Sequence, residues 1–338
     1  MSDPILVTGA AGFIGFSFAC HLLAAGRAVV GVDNLNAYYD PALKEARLAE
    51  LRRFAGFTFH RLDLADRAAT ADLFRTAAFG PVVHLAAQAG VRYSLENPHA
   101  YVDANLVGFL NVLEGCRQRA VPHLVFASSS SVYGANTAIP FSEHRPADHP
   151  VSLYAATKRA NELMAHSYAW LYKIPTTGLR FFTVYGPWGR PDMAPSIFAR
   201  AIAAGEPIRL FNKGRLRRDF TYIDDVVAAM ERLIGKAPSG DPGWSGAAPD
   251  PAASSAPWRI YNIGGSRAIE VTRFVELLEQ AMGRTAIREY LPMQPGDVPE
   301  TLADATDLAA AVGLQPATPI EDGIGRFVAW FRAYHGLC

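Results

Sequence analysis

The chain has 338 residues, with 32 Lys and Arg against 32 Asp and Glu, and half of it is hydrophobic. That length suits about two domains and a core large enough to need no disulfide or metal staple. Zero net charge argues against nucleic acid or an anionic membrane as the main partner, since both reward a basic surface. Cys20, Cys116 and Cys338 lie far apart with no C-x-x-C spacing. Neither a disulfide framework nor a metal site is expected, and a reducing cytoplasm fits. No apolar stretch reaches about 18 residues, so no membrane span is expected. No basic leader precedes the first apolar run, so no signal peptide is expected either.

In chain order, apolar runs at 5–8, 28–32, 58–62, 81–85 and 124–128 read as strands. The segments 13–25, 67–77 and 106–119 carry helical spacing. Strands alternating with helices imply βαβ units and a doubly wound parallel sheet covered on both faces. A helix over 152–173 precedes a further strand at 176–182. After residue 185 the rhythm breaks at Gly186-Pro187-Trp188-Gly189-Arg190-Pro191. The expected division is 1–185 and 186–338, the second part a smaller mixed α/β domain, with crossing of the chain between them allowed. Residues 236–257 hold five prolines and three glycines, which predicts a long surface loop. It is either solvated decoration or a flap, with Trp244 as its only large side chain.

Gly9-Ala10-Ala11-Gly12-Phe13-Ile14-Gly15 follows the first strand and opens the first helix. Gly9 permits a tight turn, Gly12 lets backbone approach a pyrophosphate at the helix N-terminus, and Gly15 allows close packing. Asp33 ends the second strand, where a carboxylate accepts from adenosine ribose hydroxyls. It would repel a 2′-phosphate, and no arginine follows it at once, so NAD is expected over NADP. Asn34 and Asn36 follow in the same segment. Asp63 and Leu64 close the third strand and are placed to bracket the adenine. Leu85, Ala86, Ala87 and Gln88 close the fourth, the alanines small enough for a cofactor to cross the strand ends. His84 reads as a satisfied core histidine, and Asn105 as a brace for a cofactor loop.

Tyr154 and Lys158 stand at i and i+4, on one helix face. A free tyrosine titrates near 10. A neighbouring ammonium favours the phenolate, which makes it a usable base toward an alcohol. The strand ending Ser128-Ser129-Ser130-Ser131 adds hydroxyls, with Ser129 the choice for orienting a substrate hydroxyl.

The sequence resembles the extended short-chain dehydrogenase/reductase superfamily, and within it the nucleotide-sugar epimerases, most closely the bacterial UDP-glucuronate 4-epimerases. The motifs that carry this are Asp33-Asn34-Leu35-Asn36-Ala37-Tyr38-Tyr39-Asp40, Ala86-Ala87-Gln88-Ala89-Gly90-Val91-Arg92, Phe181-Phe182-Thr183-Val184-Tyr185-Gly186 and Arg217-Arg218-Asp219-Phe220-Thr221-Tyr222. Ala37 departs from the acidic residue usual there. The resemblance implies a Rossmann-like NAD domain and a nucleotide-sugar domain. It implies a redox-neutral cycle in which Tyr154 takes the proton of the sugar 4-hydroxyl while NAD⁺ takes hydride from C4. The 4-keto sugar then turns and receives hydride on its other face.

On matching positions, Ser130, Ser131 and Thr183 would hold a uronate carboxylate. Arg92, Arg190, Arg217 and Arg218 would serve the substrate, the last three at its diphosphate, and Asp297 the uridine ribose. A homodimer through helices near 100–118 and 152–173 is also implied. The rivals are a UDP-hexose 4-epimerase and a UDP-glucuronate decarboxylase. Serines at 130 and 131 replace the Asp and Glu of the related dehydratases, which disfavours loss of water. A non-catalytic NAD sensor has no need of Tyr154 and Lys158, and both are present.

Overall fold

All four residues of β1 (Ile5–Thr8) are buried, as befits a strand covered on both faces. The computed structural model describes residues 3–294 and 297–337. Cys338 lies outside them, and among the described residues Cys20 and Cys116 are free thiols. After β1 come β2 (Val29–Asp33), β3 (Phe57–Arg61), β4 (Val82–His84), β5 (Leu124–Ser129) and β6 (Thr176–Phe181). Then follow β7 (Thr183–Tyr185), β8 (Pro207–Leu210), β9 (Arg217–Tyr222), β10 (Trp258–Ile263), β11 (Ala268–Glu270) and β12 (Ile287–Tyr290).

The main sheet runs β10-β6-β5-β4-β1-β2-β3. Every pairing among β1 to β6 is parallel. Strand order reverses beside β1, which has β2 on one side and β4 on the other. A doubly wound sheet opens a ligand crevice at the strand ends at such a switch point. Phe109, Val112, Phe126 and Trp258 belong to one buried cluster on the sheet.

Two compact units divide the chain. The first comprises the residues up to Thr137, Ser142–Phe181 and Met230–Asn262; the second takes Ala138–Phe141, Phe182–Ala229 and the chain from Ile263. The division therefore falls after Phe181 instead of after residue 185, and 230–262 returns to the first unit. The cause is β10, which lies beside β6 and draws the Pro/Gly segment back with it. That segment is not merely solvated. Ala252, Ser254 and Ala256 are fully buried, and the Trp244 indole donates to the Asp250 carbonyl at 3.2 Å.

Within the second unit, β9 lies between β11, antiparallel, and β7, parallel. Phe220 stacks on Phe274 of the helix Val271–Met282 at 4.5 Å.

Two local expectations change. The helix expected from 106 starts earlier, as a π-turn at Val102–Val107 that runs into Gly108–Arg119. A helix at Pro41–Leu51 also intervenes between β2 and β3, capped by the Asp40 carboxylate. Among the described residues no helix is long and apolar enough to cross a membrane, and no cluster of metal-ligating side chains occurs.

Candidate active site

The glycine turn works because side chains are missing. Gly9 has φ +70°, and a Cβ there would lie 2.7 Å from the Ala86 nitrogen. At Gly15 a Cβ would lie 2.1 Å from the Gly9 carbonyl. The helix Phe13–Ala24, which carries Phe13 and Ile14 in its first turn, starts at Gly12 without a side-chain cap. Its first amides are therefore left for an anion. Asp33 is buried at the end of β2, its carboxylate accepting from Ala11 N at 3.1 Å and Leu35 N at 2.9 Å. Asn34 donates to Asp63 at 3.1 Å, and Asp63 accepts from Ala65 N. Leu64 packs into the core.

Two cations beneath this turn escape the sequence reading. Arg47, fully buried, donates to the Ala11 carbonyl at 2.8 Å. Lys44 donates to the Asn36 carbonyl at 2.9 Å and to its side chain at 2.8 Å. Both stand on the helix Pro41–Leu51. Its signal is Asp40-Pro41, a cap residue followed by proline at the first helical position.

After β4, Ala86 N donates to Thr8 Oγ1, and Thr8 Oγ1 pairs with His84 Nδ1 at 2.8 Å. His84 is the core histidine expected. Burial first, and the Lys158 ammonium second, push its pKa down to about 3. Leu85 and Ala87 lead to Gln88, whose Nε2 is buried with no hydrogen-bond partner. A buried orphan donor costs free energy unless a ligand meets it. Together with the uncapped first-turn amides that follow Gly12 and a strand-end carboxylate at Asp33, it fits a dinucleotide lying across the ends of β1 and β4.

Asn105 joins this loop to the next element. Its side-chain oxygen accepts from Gln88 N at 2.8 Å, while its amide donates to Gln88 O and to Thr157 Oγ1, each at 3.0 Å. Its backbone carbonyl accepts from Asn161 at 2.6 Å. The helix Leu153–Tyr172 is thus tied to the loop that carries Gln88. Ser152 caps that helix by accepting from Ala155 N, placing half-buried Tyr154 in the first turn. Lys158, one turn on, is 2% exposed and donates to the Ala127 carbonyl at 2.9 Å. Burial pushes its pKa down to about 8.

Ser129 closes β5, its hydroxyl accepting from Ser131 N at 3.2 Å. Ser130 and Ser131 lie half-buried in the 3₁₀ turn that follows. Behind them is a second feature the sequence reading missed. Ser128 and Arg180 are register partners across β5 and β6, and both meet Glu162 of the helix. Ser128 Oγ donates at 2.6 Å, and Arg180 donates through Nε and Nη2 at 2.8 Å each. Burial opposes the Glu162 charge, but Arg180, Ser128 and Arg159 hold its carboxyl below the ordinary range.

The remaining candidates are in the second unit, apart from Arg92, which is exposed at the start of the short helix Tyr93–Glu96. Thr183 opens β7 opposite Phe220. Arg190 pairs with Asp192 at 3.0 Å, and Arg217 with Glu300 at 3.2 Å, so neither stands open. Arg218 Nη1 donates to the carbonyls of Arg217 and Pro299 at 2.9 and 3.3 Å. Asp297 is half-buried, with its backbone N–H on Gln294; Pro295 and Gly296 of that motif lie outside the described residues.

Residues 5–264 match the NAD dependent epimerase/dehydratase family. The chain belongs to that family. It is 53% identical over 330 residues to the Rhizobium meliloti protein named "Probable UDP-glucuronate 4-epimerase", covering 96% of each chain. It is 46% identical to UDP-glucuronate 4-epimerase 1 of Arabidopsis thaliana, covering 98% of this chain and 77% of that one. Among solved structures it superposes on the UDP-glucuronic acid 4-epimerase of Bacillus cereus, in complex with UDP-glucuronic acid and NAD, with a TM-score of 0.87. That match is 29% identical and covers 98% and 99% of the two chains. Membership in an NAD-dependent epimerase family accords with the glycine turn, Asp33 and the Tyr154/Lys158 pair.

Proposed function

We propose that this protein is an NAD-dependent UDP-glucuronate 4-epimerase that interconverts UDP-glucuronate and UDP-galacturonate. The observation that carries the chemistry is Tyr154 one helical turn before a buried Lys158, on a helix tied through Asn105 to the cofactor loop. Bound NAD supplies the hydride acceptor and donor for C4. Tyr154 takes the proton of the sugar 4-hydroxyl and later returns it, acting as base and then as acid. The Lys158 ammonium stabilises the phenolate, and Ser129 orients the hydroxyl. Gly9, Gly12, Gly15, Asp33 and Gln88 hold the dinucleotide. Arg218 grips the diphosphate by the bidentate geometry suited to guanidinium.

The uronate sets a further demand. A 4-keto sugar with a carboxylate on C5 is a β-keto acid, which loses CO₂ when the C5–C6 bond aligns with the carbonyl π system. Ser130, Ser131 and Thr183 are assigned to hold the carboxylate out of that alignment. None of them can act as the acid or base that dehydration requires.

Exposed Leu163, Trp170, Leu171 and Tyr172 lie on the helix Leu153–Tyr172, and exposed Val102 on the π-turn. They support a homodimer built on these helices. The free thiols of Cys20 and Cys116 fit a reducing cytoplasm.

Incubation with UDP-glucuronate and chromatography of the products tests the reading. UDP-galacturonate is expected. A UDP-pentose as main product would make the enzyme a decarboxylase, and turnover of neutral UDP-hexoses alone would make it a hexose epimerase. NAD should copurify with the protein, because a redox-neutral cycle never requires its exchange. Asp33→Ala should then be recovered with markedly less NAD per chain, measured on the denatured supernatant. Equal NAD in wild type and variant would remove Asp33 from the site.

A further inference from the structure

Asp219 belongs to no part of the chemistry above, yet it is fully buried in the second unit and among the most heavily bonded carboxylates of the chain. It follows Arg217 and Arg218 on β9. One of its oxygens accepts from Gly265 N at 2.7 Å; the other accepts from Ser266 N at 3.0 Å and Ala303 N at 2.9 Å. Its own N–H donates to Thr301 Oγ1 at 3.3 Å. One side chain thus fastens two other backbone segments to β9, the turn at 264–266 that leads into β11 and the stretch 301–303.

Those are the flanks on which the two arginines rest. Arg217 N donates to Pro299 O at 3.0 Å, and Thr301 N to Arg217 O at 3.1 Å, so 299–301 runs alongside β9. The Arg218 guanidinium donates to Pro299 O, and that of Arg217 to Ala268 O at 3.2 Å. A buried carboxylate is costly, and hydrophobic residues of similar volume often serve stability as well. What an apolar side chain cannot do is set the spacing of three backbone segments by hydrogen bonds.

We propose that Asp219 is a positioning residue of the diphosphate grip: by pinning 265–266 and 301–303 to β9 it fixes the direction in which Arg218 is presented to the nucleotide. This rests on the reading of Arg218 as the diphosphate ligand. Asp219 touches no substrate. Its effect reaches the nucleotide only through the arginine it orients, so it should act on binding and not on the chemical step.

The experiment measures UDP binding by calorimetry, and KM and kcat with UDP-glucuronate, on holoenzyme whose NAD content is assayed. Asp219→Asn keeps the size but puts an amide donor where backbone N–H groups point. It should raise the UDP Kd and the KM by about tenfold or more, the effect of losing one charge-assisted bond between a misdirected Arg218 and the diphosphate. The kcat at saturation should fall far less, and NAD content should hold. A folded Asp219→Asn with unchanged UDP affinity, or with kcat lowered and KM unmoved, overturns the proposal. Should that variant not fold, Asp219→Ser decides the matter by the same readings, because the smaller hydroxyl introduces no amide donor and still removes the charged acceptor of Gly265, Ser266 and Ala303 N. A raised KM supports the pinning, and an unmoved KM overturns it. Arg218→Lys separates the two layers, since lysine cannot replace a bidentate fork. Weaker UDP binding there, with Asp219→Asn unaffected, overturns the pinning alone; no loss in either variant overturns the diphosphate reading as well.

Discussion

Tyr154→Phe should fold, retain NAD and lose turnover by roughly 10²–10⁴-fold, the range for a positioned acid–base group. The substitution removes one oxygen from a half-buried ring in the first turn of its helix and leaves the Ser152 cap in place. Lys158 supplies the companion test. Burial lowers its pKa from 10.5 to about 8, so the folded chain binds fewer protons there than the unfolded one between those values. Stability therefore rises as pH climbs from about 8 to 10.5, and near pH 7 the buried charge costs about 3 kcal/mol. Lys158→Met relieves that cost but orphans the Ala127 carbonyl, worth about 1–3 kcal/mol. The two nearly offset, so the Tm should stay close to wild type. Activity behaves differently. Without the ammonium the tyrosine ionises at higher pH, and the acid limb of kcat/KM should move to the alkaline side. Near-normal turnover in Tyr154→Phe, measured at several pH values, would sink the assignment of the base.

The six β-strands up to Phe181 were legible because each is a short apolar run between glycine-rich or polar turns, and the structure moves none of their ends by more than one residue. Gly9, Asp33, Tyr154 and Lys158 were legible for a related reason. Each sits at a fixed offset from a strand end or along one helix face, where spacing alone dictates geometry. What escaped depends on contacts far apart in sequence. Arg47 meets Ala11 across 36 positions, and Arg180 meets Glu162 across 18 positions and a strand–helix packing. No periodicity marks such a pair, because a buried arginine reads as a surface residue until its partner is known. The return of 230–262 to the first unit escaped for the same reason. Whether Trp258–Ile263 pairs beside β6 or extends the second unit is decided by tertiary packing and not by the strand's own residues. The π-turn at Val102–Val107 is subtler still: one extra residue in a helical segment leaves the apolar pattern almost unchanged, yet it lies where Asn105 accepts from Asn161.

Thr183→Val should change the fate of the substrate as well as its affinity. The residue opens β7, where a β-branched side chain of nearly the same shape keeps the strand pairing with Phe220. Only the hydroxyl is lost. If that hydroxyl holds the C6 carboxylate, its bond is charge-assisted and contributes about 1.5–3 kcal/mol. Since about 1.4 kcal/mol is a factor of ten, the rotamer with C5–C6 aligned to the 4-keto π system should become about tenfold more populated, or more. CO₂ is then lost from the keto acid. Its product has no C6 carboxylate, so a UDP-4-keto-pentose should appear together with cofactor left in the reduced state, absorbing near-ultraviolet light on the enzyme. Ser130 and Ser131 share the carboxylate in this reading, so binding should weaken without vanishing. A neutral UDP-hexose never presents a carboxylate to Thr183, and its turnover should change much less than that of the uronate. The measurement is CO₂ or UDP-4-keto-pentose formed per epimerisation event, in wild type and variant at equal saturation. An unchanged ratio with unchanged uronate affinity would reduce Thr183 to a packing residue. A raised ratio with the uronate, beside a neutral-hexose turnover close to wild type, would show that the hydroxyl that binds the acid also protects it from its own chemistry.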